Sequence, residues 1–219
     1  MGEVREIPEP TIGYRWIKAN VYGALVNVIA SFATFALGRA LAVSDPGTGT
    51  LTTILFTIVG GMVAALSLAV LARLTGGALG RKLPLFPMRR WIELHAYMGF
   101  VLGLAVSFSA TIPEEADPEP LTLDVAVVTA VAGAVLGVIL GAMVGSLQAL
   151  VLRKAAHAVR TWIGYSALGG ATLGPAILAV ALGPQTWFAS EVAAEVAGFV
   201  MSVTVAIILL PAVRQLQPR

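Results

Sequence analysis

The sequence predicts an all-α membrane protein, a bundle of six transmembrane helices, and three observations support this fold class. The 219 residues are 58% hydrophobic and only 12% charged, whereas about a quarter of the residues in a soluble domain are charged. Six apolar stretches are each long enough to cross a bilayer core of about 30 Å as a helix. The basic residues lie almost entirely between alternate stretches. Lipid is therefore the expected solvent for most of the surface.

The six predicted spans are separated by short breaks that contain glycine, proline or charged residues. Peptide groups cannot be left unpaired in lipid, so each apolar stretch is expected to be a helix. We place the spans at residues 17–43, 51–74, 91–112, 122–152, 161–182 and 193–213. They form one transmembrane domain over residues 17–213, with residues 1–16 and 214–219 as cytoplasmic tails.

The distribution of charge predicts the orientation of the bundle. Of the 14 lysines and arginines, only Arg39 falls toward the side opposite the two tails. Cytoplasmic loops are enriched in basic residues, so both termini are expected in the cytoplasm and the chain in a bacterial inner (plasma) membrane. Eight of the twelve acidic residues, Glu195 among them, are predicted to lie in the loops of the opposite side, with no carboxylate at mid-depth. That absence argues against a proton-coupled pump.

The aromatic residues agree with this orientation. Tryptophan and tyrosine are enriched where lipid meets water, so we expect one set at each membrane boundary. The inner set is Tyr14, Trp16, Trp91 and Trp162, and the outer set is Trp187 and Phe188.

Two pairs of segments resemble each other and predict a parallel tandem repeat of helical hairpins. Residues 60–71 align with residues 141–152, and residues 89–105 align with residues 160–176. The second and third spans would then correspond to the fourth and fifth. Chance similarity between helices rich in alanine, glycine, leucine and valine is the alternative.

Glycines recur at intervals of four residues on three of the spans. This spacing places them on one face of a helix, where another backbone can approach closely. We expect these faces to pack helices together inside the bundle, and an interface with another subunit is the alternative. The residues are Gly99, Gly103, Gly133, Gly137, Gly141, Gly145, Gly170 and Gly174.

The first span carries a polar stripe formed by Asn20, Asn27, Ser31 and Thr34, at helical spacing. Amides and hydroxyls do not face lipid cheaply, so the stripe is expected to face the bundle. Hydrogen bonding between helices is one interpretation, and a polar path for a substrate is the other. Gln148 on the fourth span is expected to hydrogen-bond across helices and to belong to the same polar set.

Two histidines raise the hypothesis of a haem. His95 shares a helix face with glycines, and His157 falls in the neighbouring loop, so the pair could provide two axial ligands. The alternative is a hydrogen bond within the bundle for His95 and an exposed loop position for His157. Haem apart, we predict no cofactor and no metal, and we expect bound lipids.

Catalytic residues are not predicted. The chain has no phosphate-binding loop, no Gly-x-Ser-x-Gly, no His-Glu-x-x-His and no cysteine, so the motifs favour a non-enzymatic role.

The segment of residues 141–153 contains Gly-x3-Gly-x2-Gln followed by Leu-Val-Leu-Arg, and Trp162 then opens the next span. This pattern resembles that of a loosely defined group of uncharacterised bacterial multi-spanning membrane proteins. Ala149 stands where an aromatic residue is common in the group. The resemblance implies a helical hairpin and no activity.

These observations lead to three functional hypotheses. The first is a non-catalytic membrane subunit or assembly scaffold, with the lipid bilayer and other membrane subunits as partners and no nucleic acid. The second is a small-molecule transporter or substrate-binding membrane component. The third is a haem-binding electron carrier. A sealed, polar, ligand-sized cavity lined by Asn27, Ser31 and Gln148 would favour the second. A filled bundle interior, with glycine grooves on the outside against another chain, would favour the first.

Overall fold

A computed structural model describes residues 11–45, 47–111, 122–157, 159–182 and 187–218, with side chains from residue 192 onward in the last range. In these ranges the fold consists of helices and one pair of two-residue strands. The helices are α1 (Ile12–Ala40), α2 (Thr50–Gly80), α3 (Met88–Ser109), α4 (Leu123–Leu152), α5 (Arg160–Gly170), α6 (Leu173–Ala181) and α7 (Trp187–Gln215), and the strands are β1 (Ala156–His157) and β2 (Gln217–Pro218).

Six helical segments are long and apolar enough to cross a membrane, as a multi-pass membrane protein requires. Four of them are α1 to α4. The fifth combines α5 and α6, and the sixth is Val192–Gln215 within α7. The prediction of an all-helical protein with six such helices is confirmed.

Several helices begin or end outside their predicted spans, α1 and α2 among them. α1 begins at Ile12 because Thr11 caps it, accepting a hydrogen bond from the Tyr14 amide at 3.3 Å. α2 continues through Gly76, where the sequence predicts the start of a loop. This glycine lies against the start of α3, since an added Cβ would stand 2.7 Å from the Met88 sulfur. It therefore serves close packing and does not end the helix.

The fifth span is broken between α5 and α6, at Ala171 and Thr172. Pro175 lies four residues after Ala171. Its ring has no N–H and clashes with the carbonyl four residues earlier, which interrupts a regular helix. The Thr172 hydroxyl donates to the Gly169 carbonyl at 2.6 Å and so satisfies one backbone group at the break.

The helices form two groups, and each group packs tightly within itself. In the first group, α2 packs against both α1 and α3. In the second, α4 packs against α5 and α6, which in turn contact α7. The groups meet where α1 packs on α7, whereas few residues of α3 and α4 come together. The boundary between α3 and α4 is therefore the least packed junction between sequence-adjacent spans.

The buried core lies at one end of the bundle, where α1, α3 and α5 begin and α2, α4 and α7 end. We call this the tryptophan end, and the other the far end. Toward the far end, the described residues form no second core cluster of this kind. The larger members of the core are Trp16, Trp91, Trp162, Leu79, Leu83, Leu152, Leu209, Val213 and Leu216.

Two contacts tie the end of the chain to this core. β2 pairs with β1 in antiparallel register, His157 opposite Gln217. The Lys82 ammonium donates to the carbonyls of Val213 and Arg214 at 2.8 and 2.6 Å, at the C-terminal end of α7. A cation is favoured there by the helix dipole, although burial lowers the pKa of the Lys82 ammonium from its ordinary value.

The predicted packing glycines lie at contacts within the chain. An added Cβ at Gly99 would stand 2.6 Å from the Ala64 carbonyl oxygen, and one at Gly103 would stand 2.9 Å from that of Gly60. In the second group, Gly137 and Gly170 press against each other's carbonyl groups. The remaining contacts are Gly133 on Ile177, Gly141 and Gly145 on Ser166, and Gly174 on Ala130. These faces are filled by the chain itself and leave no open glycine groove on the described surface.

The turn after α1 contains Ala42, the one non-glycine residue with a positive φ, 48°, in the described ranges. It occupies the C′ position of a Schellman motif, in which the Val43 amide donates to the Gly38 carbonyl and the Ala42 amide to that of Arg39, both at 3.1 Å. Glycine is the usual residue at C′, because it has no Cβ to clash in this conformation.

Ala42→Gly is expected to raise the free energy of unfolding by about 0.5–1 kcal/mol, because the left-handed conformation costs an L-residue more than glycine loses in backbone entropy. Thermal unfolding in detergent measures the change. Ala36→Gly, at an exposed position within α1, is the control and should lower the free energy of unfolding by about 1 kcal/mol. A loss of stability in Ala42→Gly would contradict the assignment of strain.

Candidate functional site

Three tryptophans meet at the tryptophan end, and each is at most 2% exposed. The Trp162 ring makes T-shaped contacts with the rings of Trp16 and Trp91, at centre distances of 5.8 and 6.1 Å. Trp16 donates its indole N–H to the Ala206 carbonyl at 2.9 Å. These three residues are buried in the core at this end of the bundle, whereas Tyr14 is 58% exposed; their position at a membrane boundary stays a prediction. The side chains of Trp187 and Phe188, the predicted outer set, lie outside the described residues.

A chain of hydrogen bonds crosses from the second group of helices to the first. Trp162 donates its indole N–H to the Gln148 side-chain oxygen at 2.9 Å. The Gln148 amide nitrogen lies 3.0 Å from His95 Nε2, and His95 Nδ1 lies 2.8 Å from the Trp91 carbonyl. Trp91 in turn donates to the Thr75 hydroxyl at 3.3 Å. Gln148 therefore bonds across helices, as expected, and joins α4 to α3 where the two pack sparsely.

The partners of His95 determine its tautomer. A backbone carbonyl only accepts, so Nδ1 must carry the proton and donate to Trp91. Nε2 then keeps its lone pair and accepts from the Gln148 amide, whose oxygen receives the Trp162 N–H. Every polar atom in this chain has a partner when His95 is neutral. A second ring proton would place two donors face to face, so the network requires the neutral imidazole.

The two histidines lie in different environments. His157 is exposed and lies in β1, whereas His95 is buried and has protein partners at both ring nitrogens. A haem iron at Nε2 would have to replace Gln148. The glycine face beside His95 is also filled, because Gly99 and Gly103 lie against the α2 backbone. The geometry therefore offers no open ligand position at His95.

The residues of the polar stripe on α1 differ in their hydrogen-bond partners. Asn20 and Thr34 hydrogen-bond to their own helix, at the carbonyls of Trp16 (2.9 Å) and Ala30 (3.0 Å). Ser31 reaches across to α7. The Asn27 side-chain oxygen is buried and has no hydrogen-bond partner. Such an unpaired buried acceptor is uncommon and costs about 1–3 kcal/mol in a folded protein.

A cavity of about 240 Å³ lies between α1, α2 and α3, and we call it the polar cavity. The structure brings Asn27, Ser31 and Thr34 together along its α1 wall, but Asn20 and Gln148 do not line it. Its other polar residues are Ser67 on α2 and Ser107 on α3. Its apolar lining includes Val63, Leu68, Leu102 and Val106.

Glu195 is the feature that the sequence analysis misplaced. It accepts a hydrogen bond from the hydroxyl of Ser31, a wall residue of the polar cavity. Ser31 lies nine residues before the end of α1 and Glu195 eight residues after the start of α7. At about 1.5 Å per residue, both lie about 12–14 Å inside the bundle from the far end. The expectation of an outer-loop glutamate is therefore wrong. Its position inside the predicted sixth span was the available signal.

A second depression lies between α4, α6 and α7, with a volume of about 430 Å³. Its lining is apolar except for Thr129, whose hydroxyl donates to the Val125 carbonyl at 2.8 Å. The hydroxyl proton of Thr129 is therefore already used. The polar cavity differs because it contains an unpaired polar atom, the Asn27 side-chain oxygen.

Comparison with protein-family models, with curated proteins and with solved structures finds no match to this chain.

Proposed function

We propose that the protein is a transport-type membrane component that binds a small molecule in the polar cavity between α1, α2 and α3. One observation carries this proposal. The Asn27 oxygen is buried and unpaired beside a ligand-sized space, and a bound molecule that donates a hydrogen bond would satisfy it. A buried polar atom without a partner is otherwise a net loss of stability.

The arrangement of the helices supports this function over a purely structural role. The core is concentrated at the tryptophan end, so the part of the bundle that contains the polar cavity has fewer large buried side chains. Substrate sites of transporters lie near the bilayer midplane, between groups of helices. The glycine faces that could have bound another subunit are engaged within the chain.

The proposal includes an orientation in a bacterial inner membrane. Basic residues flank the tryptophan end, in the loops and helix ends that include Arg81, Lys82, Arg153 and Lys154. The positive-inside rule then favours a cytoplasmic location for this end and for both termini. Since the polar cavity lies toward the far end of α1, a ligand would enter it from the outer side.

The tandem repeat stays a prediction with a difficulty of register. Both hairpins bring a glycine onto the backbone of the preceding helix, Gly99 on Ala64 and Gly170 on Gly137. The sequence alignment instead pairs Ala64 with Gly145, two helical turns from Gly137. If the hairpins arose by duplication, the second has slid along its helix pair.

Ala30→Leu is expected to abolish ligand binding, because the larger side chain would occupy the polar cavity that Ala30 lines. The probe is a panel of small amines, amino acids, alcohols and nucleosides, and the readout is the shift in melting temperature of purified protein. A ligand at 100 times its Kd stabilises by about 2.7 kcal/mol. At least one solute should stabilise the wild type and leave Ala30→Leu unchanged.

Ala33→Leu is the matched control. Ala33 is exposed on the same helix and does not line the polar cavity, so this variant should respond to ligands as the wild type does. Equal stabilisation of both leucine variants, or no stabilisation of the wild type by any solute, would contradict the proposed function.

A second candidate, a subunit of a larger membrane complex, is favoured by the apolar depression between α4, α6 and α7. A helix of another membrane protein could pack there, since apolar grooves accept helices through close packing. Native mass spectrometry after mild extraction tests this directly, because a stable partner would co-purify in fixed stoichiometry.

A further inference from the structure

Three of the four side-chain hydroxyl groups that line the polar cavity, all but that of Ser107, have already used their donor protons. Thr34 donates to the Ala30 carbonyl and Ser67 to the Ala64 carbonyl, both at 3.0 Å. Ser31 donates to Glu195. These three oxygens therefore offer lone pairs to a ligand and not protons. With the unpaired Asn27 oxygen, the polar side of the cavity offers four hydrogen-bond acceptors, beside two donor groups, the Ser107 hydroxyl and the Asn27 amide nitrogen.

The carboxyl group of Glu195 adds negative charge beside these acceptors. In the described part of the chain, Ser31 is its hydrogen-bonding partner and no lysine or arginine forms an ion pair with it. The nearest cation along α1 is Arg39, two turns beyond Ser31, whose guanidinium lies over the Phe35 ring at 5.7 Å. An ionisable residue inside a membrane span usually pairs with a charge or serves a substrate.

We infer that the ligand of the polar cavity is a small organic ammonium ion with an apolar body. This inference rests on the proposed function and specifies its substrate class. The ammonium group would donate to the Asn27 oxygen and the neighbouring hydroxyl oxygens, with Glu195 as its counter-charge. The apolar body would lie against Leu68, Leu102 and Val106. The volume of about 240 Å³ is below the 300–1,000 Å³ typical of drug-sized ligands, so a small molecule fits best.

Other ligand chemistries fit the cavity less well. A carboxylate or phosphate would place anionic oxygens against acceptors and beside Glu195. A bare sodium or potassium ion would not use the apolar wall, which forms most of the lining. A neutral alcohol could occupy the space and donate one hydrogen bond, but it would gain nothing from the carboxylate. Charge-assisted hydrogen bonds are about twice as strong as neutral ones.

The test compares three probes that share one apolar body: 2-phenylethylammonium, 2-phenylethanol and phenylacetate. Their Kd values are measured by titration calorimetry on the full chain in nanodiscs of neutral phosphatidylcholine, with sodium chloride as a further arm. The ammonium ion is expected to bind about tenfold or more tightly than the alcohol, a difference typical of a charge-assisted contact. Phenylacetate and sodium chloride are expected to show no binding.

Two variants assign the preference to named residues. Glu195→Gln should reduce the ratio of alcohol to ammonium Kd to about one, since only the charge is removed, whereas the control Glu93→Gln, at an exposed position paired with Arg89, should preserve it. Asn27→Leu should weaken binding of the ammonium ion without loss of thermal stability, because it removes an unpaired buried acceptor. Its melting temperature shows that weakened binding is not a failure to fold.

The outcomes separate this inference from the proposed function. Equal or tighter binding of the alcohol or the carboxylate, or a preference that survives Glu195→Gln, would overturn the ammonium assignment and leave the cavity as a binding site. Failure of all three probes would also overturn it. The proposed function is then decided by the solute panel and the Ala30→Leu variant.

Discussion

Gly137→Ala is expected to destabilise the protein strongly, while the same substitution at Gly164 is expected to be tolerated. An added Cβ at Gly137 would overlap the Gly170 carbonyl oxygen and lie 2.8 Å from the carbonyl carbon. The obstacle is backbone, so it cannot be relieved by a change of rotamer. Overpacking of this kind typically costs about 1–3 kcal/mol and sometimes more, and we expect the upper part of that range.

Gly164 provides a control within the same helix pair. It lies in α5, and an added Cβ would meet no atom within 4 Å. Alanine favours a helix over glycine by about 1 kcal/mol, so Gly164→Ala should be neutral or slightly stabilising. Unfolding in detergent can be followed by intrinsic fluorescence, because Trp16, Trp91 and Trp162 are buried in the fold. Similar melting temperatures for the two variants would contradict the close approach of α4 and α5.

The helices could be predicted from the sequence because their signals are local. An uninterrupted apolar stretch must satisfy its peptide groups internally in lipid, and this alone determines a helix. Short-range pairs were also predictable. Arg89 bonds Glu93 at 2.7 Å, four residues along the same helix, as the spacing indicates.

Contacts between distant helices could not be predicted, because they depend on register and rotation that no local pattern encodes. The glycines on α4 indicate a close approach but not that Gly137 meets Gly170. The three buried tryptophans carry the same composition signal as residues of a membrane boundary. They can be buried because each indole N–H group donates to an acceptor on another helix: Ala206, Thr75 and Gln148.

Glu195 illustrates a different failure, one of classification. An acidic residue two positions inside a predicted span is easily assigned to the adjoining loop, and the sequence offers no sign that Ser31 stands opposite. α7 begins at Trp187, two turns before Glu195, and this extra length draws the carboxylate into the bundle.

Gln148→Leu is expected to weaken the joint between the two helix groups. The Gln148 side chain accepts a hydrogen bond from the Trp162 indole N–H at 2.9 Å and donates one to His95 Nε2 at 3.0 Å. Leucine at this position would leave the Trp162 donor and the His95 acceptor buried and unpaired. Each unsatisfied group costs about 1–3 kcal/mol, so we expect a loss of about 2–4 kcal/mol in the free energy of unfolding. Ser146→Ala is the control, because the Ser146 hydroxyl donates only to the Ala142 carbonyl of its own helix.

A double-mutant cycle with His95→Leu distinguishes a hydrogen-bonded joint from simple packing. In the double variant neither Gln148 nor His95 is present, so no unpaired group remains between α3 and α4, and only the Trp162 N–H loses its partner. The double variant should therefore be more stable than the sum of the two single losses predicts, by about 1–2 kcal/mol. Additive losses would show that the contact between His95 and Gln148 contributes no coupling. The fluorescence of Trp162 offers a second readout, since its indole N–H would be unpaired in both variants that lack Gln148 and paired in His95→Leu alone.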